Sequence, residues 1–210
     1  MSNTLSGFDS MGMTNNFWGI CGVNSALYAL YQNNVALQTR LAKGAMTPTM
    51  MLAELKTFLR ILQADGKQGI LDEIQAFTRT FKDFENFTIQ SYIERINSAA
   101  VAVDTATSGD PQKALLADPQ FSLGLPPDSV VYYMQRICGF DKAKLVDLSS
   151  TENELVVGLY RDDGNNMKVY NGLRHYVYYR NGIYYSWGKQ FSSISQMKRN
   201  YGGICYKITL

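Results

Sequence analysis

The sequence predicts an α+β protein, a helical N-terminal portion followed by an antiparallel sheet. Three observations predict it. Apolar residues recur at helical spacing through much of residues 21–138, and after about residue 145 the texture turns to short runs rich in Val, Ile and Tyr. Asn181-Gly182, the pair favoured at a two-residue type I′ hairpin, joins two of those runs. At 210 residues, 46% hydrophobic and 18% charged, the chain can bury a sizeable core. The expected organisation is a single domain over 1–210, with a helical lobe over about 17–140 and a sheet lobe over about 145–210.

Residues 1–16 are polar and rich in Gly, Ser and Asn, an irregular lead-in. From Cys21 the pattern is helical, with Val23, Leu27, Leu30 and Tyr31 in phase and Asn33-Asn34 as the stop. A second helix is predicted from Thr47-Pro48 to about Gln63. Thr47 suits the N-cap and Pro48 the first turn, and Leu52, Leu55, Leu59 and Leu62 form one stripe before Asp65-Gly66. Helices are also predicted over 70–84, on Ile70, Ile74, Phe77, Phe81 and Phe84, and over 88–101, on Ile89, Tyr92, Ile93 and Ile96. Residues 104–126 read as a loop, given Ser108-Gly109-Asp110-Pro111 and the pair Pro126-Pro127. A further helix starts near Asp128 and carries Val131, Met134 and Cys138 up to Gly139. Strands follow at 155–160, 167–170, 173–180, 183–187 and 203–210, with Asp163-Gly164 as a second turn signal.

Twenty basic against 18 acidic residues leave a charge of +2 with no dense basic run, which argues against a nucleic-acid surface or a polybasic membrane anchor. No stretch approaches the ~18 consecutive apolar residues of a membrane helix. The opening Met-Ser-Asn-Thr-Leu-Ser-Gly lacks the charged and apolar regions of a signal peptide, so synthesis in the cytosol is expected. The three cysteines, Cys21, Cys138 and Cys205, are too far apart for a CxxC motif, and an odd, sparse count suits individual roles. There is one histidine, His175, which excludes a multi-histidine metal site and leaves one candidate for an imidazole base. No cofactor is predicted.

The segment Asn15-Asn16-Phe17-Trp18-Gly19-Ile20-Cys21-Gly22-Val23 is the most informative. A cysteine between glycines at the start of an amphipathic helix sits where backbone N–H groups point outward, and the helix macrodipole there favours a thiolate. A small buried residue at a helix start is the alternative. His175 opens a strand whose alternation predicts one packed face. Thiol acyl transfer needs both groups: the imidazole takes the thiol proton and later returns it to the leaving amine.

On Asn15, the Gly19-Ile20-Cys21-Gly22 block, and the order cysteine, helices, then histidine on a strand, the sequence resembles the papain-like (clan CA) cysteine peptidases. In style it is closest to bacterial papain-fold effector and toxin proteases and to double-glycine leader peptidases. The resemblance covers roughly 13–31 and 155–190. It implies a papain-like fold with Cys21 as nucleophile and His175 as base. The family's oxyanion glutamine stands six residues before the nucleophile, where this chain has Asn15, which carries the same carboxamide on a shorter stem. Ser186-Trp187-Gly188 matches part of the Asn-Ser-Trp-Gly of papain.

The family orients its histidine with an Asn or Asp on the following strand. Folding about Asn181-Gly182 pairs 180 with 183 and sets 175 opposite 188, so the orienting group should come from 186–190. Residues 182–199 hold no Asp, Glu or Asn. Gln190 is the expected third member and Ser186 the alternative; a pair without a third residue is also open. Trp18 and Trp187 are candidates to line a cleft, Trp18 alternatively to staple the helix start. Cys138 and Cys205 read as core. Asp162-Asp163 reads as turn chemistry without calcium-loop spacing.

The expected activity is cleavage of a protein or peptide amide through an acyl-thioester. The resemblance implies delivery as a secreted effector or toxin, with an immunity or secretion-machinery protein as partner. A glutamine deamidase or transglutaminase uses the same site. An arylamine acyltransferase normally adds an Asp that is absent from the expected place, and a non-catalytic interaction or adaptor module is the rival from another class.

Overall fold

The computed structural model describes residues 18–34, 47–161, 169–186, 188–197 and 200–210. Among these, six α-helices and a six-stranded antiparallel sheet make the protein α+β. The described residues fall into two compact units. One holds 18–20 and 47–125, the other 21–34 and the residues from 126 on.

Helix α1, Cys21–Asn33, belongs to the sheet unit rather than to a helical lobe. Gly22, Val23, Asn24, Ser25, Ala26, Tyr28 and Ala29 are all buried, so the helix is enclosed over most of its circumference. Small residues permit this. A Cβ on Gly22 would stand 2.6 Å from Val130 Cγ2 and 3.3 Å from the Tyr176 ring. Gly22→Ala is therefore expected to destabilise the protein. Alanine favours helix by about 1 kcal/mol, but overpacking costs about 1–3 kcal/mol, so a net loss of up to about 2 kcal/mol should appear in urea unfolding.

The helical unit contains α2 (Pro48–Ala64), α3 (Gln68–Thr78), α4 (Ile89–Thr105) and α5 (Pro111–Ala117). Thr47 caps α2 as expected, its hydroxyl accepting from the Met50 N–H, and Met51, Leu52, Leu55, Phe58, Leu59 and Leu62 form the buried stripe. Thr88 and Ser91 close a capping box on α4.

Two expectations fail in this unit. The helix predicted to run to residue 84 ends at Thr78, whose hydroxyl donates to Ile74 O and accepts from the Gly124 N–H. Beyond it Phe81, Phe84 and Phe87 continue the apolar spacing through successive three-residue turns, their rings in sequential contact at 5.7–6.3 Å. Aromatic packing, not helix, sustains that period. The second failure is the segment read as loop. It contains α5, capped by Asp110 with Pro111 in its first turn, then a 3₁₀ turn at Pro119–Phe121. Ser-Gly-Asp-Pro was a helix start as well as a turn signal.

In the sheet unit α6, Pro127–Arg136, carries Asp128 in its first turn and Arg136 in its last, both complementing the helix dipole. The strands are β1 (Leu145–Val146), β2 (Glu154–Tyr160), β3 (Leu173–Arg180), β4 (Ile183–Ser186), β5 (Lys189–Phe191) and β6 (Gly203–Thr209), in the order β1-β6-β2-β3-β4-β5. Asn181 and Gly182 both take positive φ, 48° and 84°, as a type I′ turn needs, and Arg180 pairs with Ile183. Tyr170 opens a 3₁₀ turn rather than closing a strand; the Asp163-Gly164 turn lies outside the described residues. Strands β1 and β5 had no sequence signal, being two and three residues long.

The pleat sorts β3 into two faces. Val177 joins Leu155, Val157, Leu159 and Met197 in a buried cluster on one face. On the other, Tyr176 approaches Gly22, and Tyr178 meets Tyr28 of α1 edge-on at 5.3 Å.

Candidate functional site

Because α1 begins at Cys21, the thiol sits at the end of the helix whose backbone N–H groups lack intrahelical acceptors. The side chain is half-buried, and its Sγ accepts a hydrogen bond from the backbone N–H of Tyr176 at 3.3 Å. Strand N–H groups point in the plane of the sheet. Gly158 of β2 faces Tyr176 on one side, so the sulfur lies along the other edge of β3. That is the edge where β4 has ended at Ser186. The sulfur is thus beside the strand rather than above either face, at the amide that follows His175.

His175 shares its face with Val177 and Tyr179, opposite the face that α1 covers. The ring is 6% exposed and stacks on Tyr201, centroids 5.6 Å apart and planes within 13°. Its Nε2 lies 2.7 Å from Ser186 Oγ. In the tautomer protonated at Nε2 the ring donates to the serine hydroxyl, and Nδ1 carries the lone pair.

Gln190, the expected third member, is not at the ring. The reason is a second reversal. Gly188 takes φ 67°, Ser186 pairs with Lys189, and β5 runs back along β4, so Gln190 faces Tyr185. Tyr185 lies on the same sheet face as Tyr178, and Gln190 is therefore exposed on the face opposite His175. The alternative, Ser186, is the residue that meets the imidazole. Ser186→Ala should lower the neutral-pH alkylation rate of Cys21 about 2- to 10-fold, the effect of one neutral hydrogen bond, while Gln190→Ala leaves it unchanged. Iodoacetamide kinetics on the two variants check this.

Trp18 is no cleft residue. It is 1% exposed, its Nε1 donates to Asp118 O at 3.0 Å, and its ring meets Phe121 edge-on at 5.8 Å. A large ring with one polar atom is satisfied by such a buried seat. Asn15, Trp187 and Asp162-Asp163 lie outside the described residues.

Sequence reasoning missed the clamps on α1. At its N-terminus the clamp is the Tyr176 amide. At its C-terminus Glu154 accepts from Asn33 Nδ2 at 2.6 Å and from the Tyr178 hydroxyl. Burial, then the hydrogen bond to Glu154 and its charge, pushes the Tyr178 hydroxyl above its ordinary range; burial, then the Cys21 charge, does the same to Tyr176. Tyr176 stays neutral beside the sulfur. Cys138 and Cys205 are buried as expected, and burial pushes the Cys205 thiol up to about 12, so it is no nucleophile at neutral pH. No cluster of three metal-ligating side chains occurs among the described residues, and none of their helices is long and apolar enough to cross a membrane.

Fold and site together define an α+β protein with a helix-terminal cysteine beside the strand of its one histidine. No family model, curated protein or solved structure matches the chain.

Proposed function

We propose that the protein is a papain-like thiol hydrolase that cleaves a protein or peptide amide, with Cys21 as nucleophile and His175 as base. The observation that carries this reading is the Tyr176 N–H bond to Cys21 Sγ. It brings the cysteine, 155 residues away in sequence, to the amide next to the only imidazole. The helix N-terminus and that N–H both favour a thiolate.

In the reaction Nδ1 of His175 takes the thiol proton, with Ser186 Oγ accepting from Nε2–H to hold the ring in the productive tautomer. The thiolate adds to the amide carbonyl, and the Cys21 N–H receives the oxyanion; the family resemblance names Asn15 as the second donor. The imidazolium then protonates the leaving amine as the C–N bond breaks, and water, deprotonated by His175, hydrolyses the acyl-thioester. A neutral serine stabilises the imidazolium less than a carboxylate does. The resemblance around Cys21 extends the proposal to an exported effector or toxin with an immunity partner.

Mass spectrometry of a proteome incubated with the protein or with Cys21→Ala tests the reaction. New peptide termini that depend on Cys21 are expected. A mass gain of one unit at Gln would make it a deamidase at the same site, and no Cys21-dependent change would leave an interaction module.

A further inference from the structure

The sheet face that carries His175 also holds a cavity of about 260 Å³, further along β3. Leu155 and Val157 of β2 and Ile204 of β6 form its apolar floor. Packed protein leaves few voids larger than a water molecule, so a space of this size is not a packing remainder. Drug-sized ligands occupy about 300–1,000 Å³, and this cavity, just below that range, suits a single long side chain.

Its walls differ from its floor. Tyr179 and Tyr184 pair across the β3–β4 hairpin, with ring centroids 5.0 Å apart and planes inclined at 51°, and both are only half-buried. The loop before β2 supplies the rim, where Glu152 is exposed. Lys207 also lines the cavity, but its Nζ donates to Ser150 O at 2.6 Å. Its charge is answered by the Asp147 carboxyl, which the Ser149 N–H and hydroxyl, and then Lys207, hold below the usual carboxylate range. The ammonium is thus engaged with its own wall, and Glu152 is the charge left for a ligand.

We infer that this cavity binds the arginine side chain of a polypeptide. The methylene stem of arginine matches the apolar floor. Its planar, weakly hydrated guanidinium stacks on tyrosine faces while donating to a carboxylate, which the compact and strongly hydrated ammonium of lysine does less well. The lining has one carboxylate, which the guanidinium uses, and none to meet the α-ammonium of free arginine. The occupant is therefore a residue within a chain. This goes beyond the thiol-hydrolase reading and does not depend on it, because no lining residue takes part in that chemistry.

The test titrates the full chain with N-acetyl-arginine methylamide and with its citrulline analogue, an uncharged isostere, following the Tyr179 and Tyr184 ring resonances by NMR. Those resonances should shift saturably with the arginine compound. The citrulline compound should bind about 3- to 30-fold more weakly, having lost the cation–π contact and the pairing with Glu152. Glu152→Gln should weaken the arginine compound about 2- to 5-fold, the effect of an exposed ion pair, and Tyr184→Leu by a similar factor while apolar area remains. Thermal melting checks that both variants fold. No saturable shift, or equal affinity for the two compounds, overturns the inference. Selective binding that neither folded variant weakens places the guanidinium elsewhere and overturns it too. Free arginine binding more tightly than the capped compound overturns the assignment to a polypeptide. Equal shifts with acetate would make Lys207 the recognising group and overturn the inference as well.

Discussion

Replacing His175 with Ala should slow alkylation of Cys21 at pH 6 by about 100-fold or more. A thiol at the ordinary value near 8.5 is only about 0.3% thiolate at that pH, whereas one paired with an imidazolium is largely ionised. The sign follows from the pair. In the wild type, thiolate forms at the low pH where Cys21 loses its proton to His175, and the rate is flat above it. In His175→Ala a single rise centred near pH 8.5 should remain, and the two proteins should converge above pH 9. Cys21→Ala should abolish hydrolysis, a loss of about 10⁴-fold or more, as expected when a nucleophile is removed. A rate–pH profile by stopped-flow labelling decides. Superimposable profiles for wild type and His175→Ala would end the case for a working pair.

Phe58→Ala should cost about 3–5 kcal/mol, the largest stability loss expected here. Phe58 is fully buried at the centre of the α2 stripe, flanked by Leu55, Leu59 and Leu62, so nothing exposed can collapse into the space. Met50 on the same helix is 55% exposed, and Met50→Ala should stay within about 0.5 kcal/mol. Urea unfolding followed by circular dichroism measures both. Equal losses would mean that the helix is rotated from the phase described.

How much was legible depended on how local the cause was. Thr47-Pro48 starts α2 because cap and first turn lie within four residues of each other. Asn181-Gly182 sets the β3–β4 register because Asn and Gly take two positive φ values in succession at little steric cost. Phenylalanines at 77, 81, 84 and 87 misled because spacing does not distinguish a helix from a run of turns whose rings pack on one another. Gln190 misled for a different reason. The hairpin register was right, but whether β4 continues past Ser186 or reverses at Gly188 depends on where β4 stops, and no local pattern marks it.

By itself, the sequence determined the α+β class, most helix and strand positions, the Asn181-Gly182 hairpin, and the two residues worth watching, a helix-starting cysteine and a lone histidine. These follow from periodicity and turn chemistry, which act over a few residues. Only the tertiary structure decided that α1 packs on the sheet, that Ser186 rather than Gln190 meets the imidazole, and that Cys21 rests on the Tyr176 amide. Each depends on which face of a strand meets which element. That is decided by burial across residues far apart in the chain, where one added reversal or one pleat step exchanges the residue at the site for its neighbour.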